Sequence, residues 1–298
     1  MQEPVVAAVT IFHEKWQKNC NTVNYIIRKV SKKKKKVKPV YHHAVCTVSV
    51  CPLRKKSDDR AEIVSQLLFG ELVKLVSKKN KSWAKVECEW DGYVGWLDPK
   101  MVTPITEDEY LKLQQERSYS IDISQPVTAD EHAYPILLAS SLPGYDGMSL
   151  SMAGQQYVCN GHTITPSQVE ITPELLIKVA KKYLHAPYLW GGRSPFGIDC
   201  SGLTQCIFKV FGIRLPRDAY QQAEQGHIVD FVETAEVGDL AFFENKEGHI
   251  HHVGIILEDK EILHASGYVR IDKIDHFGIY HHGKRSYTHK LRFVRRLL

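Results

Sequence analysis

The chain has 298 residues, of which 43% are hydrophobic and 10% are aromatic, so it is globular and long enough for two or three domains. Its formal net charge is only +5, and six of its 39 basic residues lie between positions 32 and 38. A weak, localised charge argues against a nucleic-acid partner, and it predicts a solvated, poorly ordered basic extension over residues 1–40. No segment approaches the roughly 20 apolar residues that span a bilayer, so we expect no membrane partner.

The cysteines and the amino terminus bear on location. Seven cysteines without a C-x-x-C pair indicate unpaired thiols, which are typical of a reducing compartment. The segment Pro4–Phe12 is apolar, but no basic residue precedes it, and His13–Trp16 follow where a signal-peptide cleavage site would lie. We therefore expect a cytoplasmic monomer, and an exported or periplasmic form stays an alternative.

The first half of the chain alternates polar and apolar residues with the period of short β-strands. Residues 41–104 predict a small antiparallel barrel, residues 105–120 a polar helical linker, and residues 121–168 a second, smaller barrel. The predicted strands of the first barrel are AVCTVSV, AEIVSQLLF, ELVKLVS, WAKVECEW and YVGWLD.

The last region, residues 169–298, predicts an α+β domain. Thr172 can cap a helix that begins at Pro173, and a second helix is expected from Cys200 to Phe211, ended by Gly212. Strands follow in the segments GDLAFF, HVGIIL, EILHAS and LRFVRRL. Helices followed by antiparallel strands are typical of the α+β class.

Cys200 is a candidate nucleophile because it starts the second predicted helix. The amino terminus of a helix favours a thiolate, which is the reactive form of a thiol, and the loop before Cys200 contains Gly191, Gly192 and Gly197. Cys206 lies further along the same helix among apolar residues. We interpret it as a core residue.

Two histidines could serve such a nucleophile. If HVGIIL and EILHA pair as a hairpin that turns near Glu258–Lys260, then His252 and His264 come roughly opposite one another. His252 would take the proton from Cys200, and His264 would fix the tautomer of His252.

Five separated motifs carry a family resemblance. YLWGGRSPFGIDCSG, LPRDAYQQ, VGDLAFF, HHVGII and ILHAS occur in one order over about residues 172–297, and this stretch resembles the NlpC-type cysteine peptidases of bacterial peptidoglycan. Residues 41–104, with EIVSQLLFGE and DGYVGWL, resemble the bacterial SH3-like barrel found beside cell-wall hydrolases. The resemblance implies an α+β, papain-like peptidase domain preceded by two small SH3-like β-barrels.

The same resemblance implies residue roles. Cys200 would be the nucleophile, His252 the base and His264 the third polar residue, while the Tyr188 hydroxyl would help to stabilise the oxyanion. Asp199 is interpreted as structural or facing the substrate.

Further roles follow for substrate recognition. Ser201 would bond the peptide backbone, and Asp218 with the barrel residue Tyr93, helped by Glu62, would recognise a free α-amine. From the residues alone, Asp218 could equally be a helix cap.

The implied substrate is a free murein peptide, L-Ala-γ-D-Glu-diamino acid, cut at the γ-D-glutamyl bond without a metal or organic cofactor. One alternative is a metal-dependent hydrolase using the HIHH segment, in which His249 and His251 would share one face of a strand. The others are a non-catalytic wall-binding protein and a cysteine amidase or acyltransferase.

Overall fold

The structure is a computed structural model that describes residues 42–79 and 81–298. The predicted basic extension, residues 1–40, lies outside the described residues. None of the helices in the described part of the chain has the length and apolar character of a membrane-crossing segment.

The first β-domain is one seven-stranded antiparallel sheet in the order β3-β2-β6-β5-β4-β1-β7. Alternate apolar residues of these strands form its core, among them Leu53, Val73 and Val86. The predicted strand AVCTVSV is interrupted in the structure, because its first part pairs with β4 and β7 whereas the next strand pairs with β3. The strands are β1 (His43–Cys46), β2 (Val50–Arg54), β3 (Ile63–Leu68), β4 (Leu72–Lys78), β5 (Ala84–Cys88), β6 (Val94–Leu97) and β7 (Val102–Ile105), with a 3-10 turn at Pro99–Met101.

The predicted helical linker is shorter than expected. Helix α1 spans Glu107–Leu113 and is capped by Thr106, whose hydroxyl accepts from the Glu109 N–H at 3.2 Å. A strand, β8 (Arg117–Ser120), begins within the predicted linker. The Arg117 guanidinium is buried and ion-paired with Glu89 of the first domain at 2.7 Å, which stabilises the strand where the sequence looked merely polar.

The second β-domain consists of two small sheets, one in the order β10-β9-β13-β12 and one in the order β11-β8-β14. Its core, which includes Val127, Ile136 and Tyr157, is continuous with Val45 and Phe69 of the first domain. Its remaining strands are β9 (Ser124–Ala129), β10 (His132–Leu137), β11 (Ser141–Pro143), β12 (Ser149–Met152), β13 (Gln155–Cys159) and β14 (Thr163–Ile164), followed by a 3-10 turn at Pro166–Gln168.

Both predicted helices of the last domain are present. Thr172 caps α2 (Pro173–Lys181) by accepting from the Leu175 N–H at 3.3 Å. Helix α3 (Cys200–Val210) ends before Gly212, whose φ of +79° is the left-handed value that stops a helix. A short helix, α4, spans Ala219–Gln222.

The strands of the last domain close into a barrel. The sheet order is β17-β23-β18-β19-β20-β21-β22, and β22 also pairs with β23, so strands β18–β23 form a ring. Apolar side chains from all six strands, such as Phe243, Ile262 and Ile279, form its interior. Outside the ring, α3 packs against β19 and β20. The strands are β15 (Arg193–Ser194), β16 (Gly197–Ile198), β17 (His227–Val229), β18 (Leu240–Glu244), β19 (Ile250–Ile256), β20 (Glu261–Ser266), β21 (Tyr268–Asp275), β22 (Gly278–His281) and β23 (Ser286–Arg296), with a 3-10 turn at Val232–Thr234.

A buried ion cluster joins the three domains. Glu71 of the first β-domain accepts from Arg193 at 2.8 and 2.9 Å and from the Lys209 ammonium at 2.5 Å. The same ammonium donates to the Ala139 carbonyl of the second β-domain at 2.8 Å. Lys209 lies on α3, the helix that begins at Cys200, so this cluster fixes that helix against both β-domains.

Candidate active site

Cys200 is the first residue of α3, on the side of the helix that faces the barrel strands. Its sulfur is hydrogen-bonded by the backbone N–H groups of Ser201 and Val253. Since Val253 follows His252 in β19, the thiol lies beside the strand that carries the predicted base.

Glycines permit the close approach of the loop before this helix. Gly191 has a φ of +76°, and a Cβ there would lie 2.3 Å from the Ile63 carbonyl of the first β-domain. A Cβ on Gly202 would lie 2.3 Å from the Gly192 carbonyl. Larger residues at these positions would push the loop away from the helix and from the first barrel.

The surroundings of Cys200 shift the pKa of its thiol. Burial and, after it, the Asp199 carboxylate raise the pKa of Cys200 to about 12, against the opposing effect of the two backbone N–H groups. Burial likewise lowers the pKa of His252 well below its usual value. Burial therefore opposes the thiolate that the start of the helix favours, and its effect on the pKa is larger than that of the two backbone N–H groups.

His252 and His264 come together as a hydrogen-bonded pair. His252 Nε2 lies 3.0 Å from His264 Nδ1, and both side chains are buried. The predicted hairpin forms, but His264 lies directly opposite Gly254, so His252 reaches it diagonally and not from the opposite position. Because Nε2 of His252 is engaged by His264, Nδ1 is the nitrogen left for the thiol.

The chain of polar groups continues beyond the predicted pair. His264 Nε2 lies 3.0 Å from Asp272 Oδ2, and the carboxylate is also ion-paired with Arg270. Asp272 was missed by the sequence analysis. The available signal was a second turn at Gly267, which pairs β20 with β21 and brings Asp272 diagonally beside His264.

His289 of β23 is a second residue that the sequence analysis did not single out. Its ring stacks on His252 with a centroid distance of 4.3 Å. Among the described residues, His252, His264 and His289 form a group whose ligand atoms all lie within 4.8 Å of one another and could hold a metal ion.

The metal pair suggested by the sequence has a different geometry. His249 precedes β19, and the register shifts between Phe243 and Glu244, so that His251 lies in a bulge. The prediction that His249 and His251 share one strand face is wrong, because a bulge breaks the two-residue alternation.

Tyr188 lies in the loop before the nucleophile, where its backbone N–H donates to the Gly267 carbonyl at 3.0 Å. Burial, followed by the neighbouring Cys200, raises the pKa of its phenol to about 12. The hydroxyl is therefore protonated and able to donate to an oxyanion, as its predicted role requires.

The Asp199 carboxylate is engaged by protein donors on both oxygens. Oδ1 accepts from Gly202 N–H at 2.7 Å, Oδ2 accepts from Gly191 N–H at 2.8 Å, and Arg217 bonds both oxygens. The structural interpretation of Asp199 fits this geometry. Its alternative role in facing the substrate stays a prediction, as does that of Ser201, whose hydroxyl accepts from the same guanidinium at 3.0 Å.

A cleft of about 750 Å³ runs between the first β-domain and the last domain. Asp218 lies in it at the N-cap of α4, and burial raises the pKa of its carboxyl. Burial and the nearby Asp218 raise the pKa of the Tyr93 phenol to about 12. The lining of the cleft includes all the predicted site residues except His264, namely Cys200, His252, Tyr188, Tyr93, Asp218, Asp199, Ser201 and Glu62.

Comparison with known proteins bears on the family of this chain. The sequence profile of the NlpC/P60 family matches residues 185–288, and that of the bacterial dipeptidyl-peptidase SH3 domain matches residues 53–101. A Bacillus subtilis protein named gamma-D-glutamyl-L-lysine dipeptidyl-peptidase is 32% identical over 216 residues, which are 68% of this chain and 72% of that protein. The chain belongs to the NlpC/P60 family.

Further relatives agree. A Bacillus cereus protein with the same name is 29% identical over 234 residues, covering 68% of this chain and 67% of that protein. A crystal structure of an NlpC/P60 family protein from Bacillus cereus matches with a TM-score of 0.72 at 23% identity, over 86% of this chain and 99% of that one. The predicted papain-like fold with an amino-terminal SH3-like domain is confirmed, and the protein is a peptidase related to peptidoglycan hydrolases.

Proposed function

We propose that this NlpC/P60 peptidase hydrolyses the γ-D-glutamyl–diamino acid bond of free murein peptides that begin with L-Ala. The observation that carries the proposal is the shared cleft, in which Cys200 and His252 lie in the same cavity as Asp218 and Tyr93. A reacting thiol and an acidic amine-binding group in one cleft suit a short peptide with a free amino terminus.

The reaction begins with a proton transfer from Cys200 to Nδ1 of His252. The sulfur attacks the γ-carbonyl carbon of D-Glu, and the Tyr188 hydroxyl and the backbone N–H of Cys200 stabilise the oxyanion. The C–N bond then breaks, the leaving amine of the diamino acid takes the proton from His252, and a thioester remains. Water, deprotonated by His252, hydrolyses the thioester and restores the thiol.

The amine end of the substrate is recognised by charge. Burial raises the pKa of Asp218, which means that the protein does not fully compensate its carboxylate for the loss of water. A substrate ammonium supplies that compensation, whereas an acetylated amine leaves the carboxylate unpaired. The relatives named for γ-D-glutamyl-L-lysine support the same bond, with L-lysine as the diamino acid.

The test is mass spectrometry of the products from L-Ala-γ-D-Glu-L-Lys, its diaminopimelate analogue and their N-acetylated forms. We expect L-Ala-D-Glu and the free diamino acid from the unblocked peptides, and little product from the acetylated ones. Cleavage at another amide would contradict the proposal. Adding a free amine as acceptor distinguishes hydrolysis from acyl transfer by the mass of the product.

A matched pair of variants tests the nucleophile. Cys200→Ala should abolish turnover with the fold intact, whereas Cys206→Ala, on the same helix, should stay active. Full activity of Cys200→Ala would exclude the mechanism.

Activity with and without a chelator tests the metal alternative raised by the His252, His264 and His289 group. Thiol chemistry survives chelation, whereas a metal-dependent hydrolase would lose its activity.

The setting we propose is cytoplasmic recycling or salvage of wall fragments by a monomer. It rests on the odd number of cysteines in the sequence and on a preference for free peptides. Cell fractionation and sedimentation of the purified protein test these two statements.

A further inference from the structure

We propose that Asp272 is a positioning residue that sets the proton positions on both catalytic histidines. The proposal depends on the thiol peptidase chemistry of the site and not on which peptide is cut. Three neighbouring strands each contribute one member of the relay: His252 from β19, His264 from β20 and Asp272 from β21.

The relay is continuous and buried. His252 Nε2 and His264 Nδ1 are 3.0 Å apart, and His264 Nε2 and Asp272 Oδ2 are also 3.0 Å apart. The three residues have relative exposures of 5%, 1% and 7% respectively. Water is therefore a poor competitor for these hydrogen bonds, and the ring nitrogens His252 Nε2, His264 Nδ1 and His264 Nε2 must be satisfied by their neighbours in the relay.

The carboxylate end determines the direction of every hydrogen bond. An ionised carboxylate only accepts, so His264 must carry its proton on Nε2 and keep a lone pair on Nδ1. That lone pair accepts from His252 Nε2–H. His252 is left with a lone pair on Nδ1, which is the nitrogen available to the thiol. The proton order along the strands thus makes His252 a base towards Cys200.

Arg270 keeps Asp272 as an ionised carboxylate, the form that can only accept hydrogen bonds. Its Nη2 donates to Asp272 Oδ1 at 2.8 Å, and its Nε lies 2.7 Å from Oδ2. Burial alone would raise the pKa of the carboxyl, but the bonds from His264 and Arg270 outweigh it and lower the pKa. Asp272 therefore stays ionised at neutral pH.

The negative charge also matters after the proton moves. When His252 takes the thiol proton, its imidazolium donates to His264, and the Asp272 carboxylate stabilises the positive charge through that ring. The titratable and charged groups around the relay come from five strands: His251, His252, His264, Arg270, Asp272, His281 and His289.

The direct test is the nitrogen NMR spectrum of the histidine rings in the full-length enzyme at neutral pH. We expect both His252 and His264 to carry the proton on Nε2, with assignments from single His→Gln variants. A proton on Nδ1 of either ring in the wild-type enzyme would overturn the proposal. This measurement needs no substrate, so its outcome is separate from that of the proposed peptide specificity.

Asp272→Asn tests the functional consequence. The NH₂ group of the asparagine would face either Arg270 Nη2 or His264 Nε2. If it faces His264 Nε2, it donates to that nitrogen, and the protons of both histidine rings must then move to Nδ1. We expect kcat/KM to fall about 10²- to 10⁴-fold, with slower alkylation of Cys200 by iodoacetamide. Asp272→Glu, which keeps an acceptor-only group, should recover part of the loss.

Asp275→Asn is the matched control. Asp275 is on the same strand, but its carboxylate accepts from the Tyr287 hydroxyl and from Phe277 N–H at the β21–β22 turn. We expect unchanged ring protonation and alkylation in this variant. If Asp272→Asn folds and stays within about threefold of the wild-type kcat/KM, or if Asp272→Glu is no better than Asp272→Asn, the role of Asp272 is structural and the proposal fails.

Discussion

The two β-domains are both small and antiparallel, yet they do different things for the active site. The first lines the cleft with Glu62 and Tyr93 and sends Glu71 into the buried ion cluster. Among the described residues that line the cleft, none comes from the second domain. Its contribution to the same cluster is one neutral group, the Ala139 carbonyl that accepts from Lys209.

The difference shows that the role of each β-domain depends on where it lies relative to the cleft, and not on its strand architecture. The first β-domain borders the cleft and supplies charged and phenolic side chains. The second supports the first through a continuous apolar core around Phe69 and Val127. Variants in corresponding positions of the two domains should therefore have unequal consequences.

The largest effect is expected from Glu71→Gln. The change leaves the buried Arg193 and Lys209 without their anion, and removing one partner of a buried ion pair costs about 3–5 kcal/mol. Urea unfolding should show this loss. Glu87→Gln removes an exposed pair with Lys74 in the same domain and should change stability by less than about 1 kcal/mol. Equal losses in the two variants would contradict the role of the cluster.

Unfolding at low pH is a second test of the contribution of Glu71 to stability. Burial alone would raise the pKa of Glu71, but Arg193 and Lys209 outweigh it and lower the pKa from 4.5 to about 2. A lowered carboxyl pKa gives stability that is complete above about pH 4.5 and is lost as the pH falls through about 2. The stability difference between wild type and Glu71→Gln should therefore shrink over this interval. A difference that grew on acidification would exclude the assignment.

A smaller effect is expected from Tyr93→Phe, which removes the phenol beside Asp218. We expect the preference for a free amine over an acetylated one to fall about 10- to 100-fold, since an unmet buried polar contact costs about 1–3 kcal/mol. The ratio of kcat/KM for the two substrates measures it. Tyr134→Phe makes the same change in the second β-domain and should leave the ratio unchanged. A change in both variants would remove the distinction between the domains.

The smallest effect is expected from Glu62→Gln. Glu62 is exposed, and it accepts from Trp190 Nε1 at 2.8 Å and pairs with Lys55 at 3.0 Å. The amide oxygen of glutamine still accepts from Trp190, so kcat/KM should change less than about fivefold. Glu131→Gln, an exposed site of the second β-domain, should have no effect. A larger loss in Glu62→Gln would assign Glu62 to the bound amine.

Several features of the site could be predicted because they are local. Thr172, Gly212 and the hairpin turn follow from residues a few positions apart, and the motif around Cys200 places the thiol at the start of a helix. The pairing of His252 with His264 required only one hairpin, although its diagonal register did not follow from the alternation of residues.

Other features depend on residues that meet only in the folded chain. Glu71 is 122 positions from Arg193 and 138 from Lys209, and a lysine within an apolar helix gives no sign that its ammonium is fully buried. Asp272 was hidden because its role needs three strands in register.

By itself, the sequence determined the family, and it predicted the nucleophile, its histidines and the order of the domains, because each of these is written in short motifs. Only the tertiary structure decided the raised pKa of the Cys200 thiol, the carboxylate behind His264 and the unequal roles of the two β-domains. The physical reason is that burial and charge pairing are properties of surroundings, and the surroundings of Cys200 are assembled from distant segments.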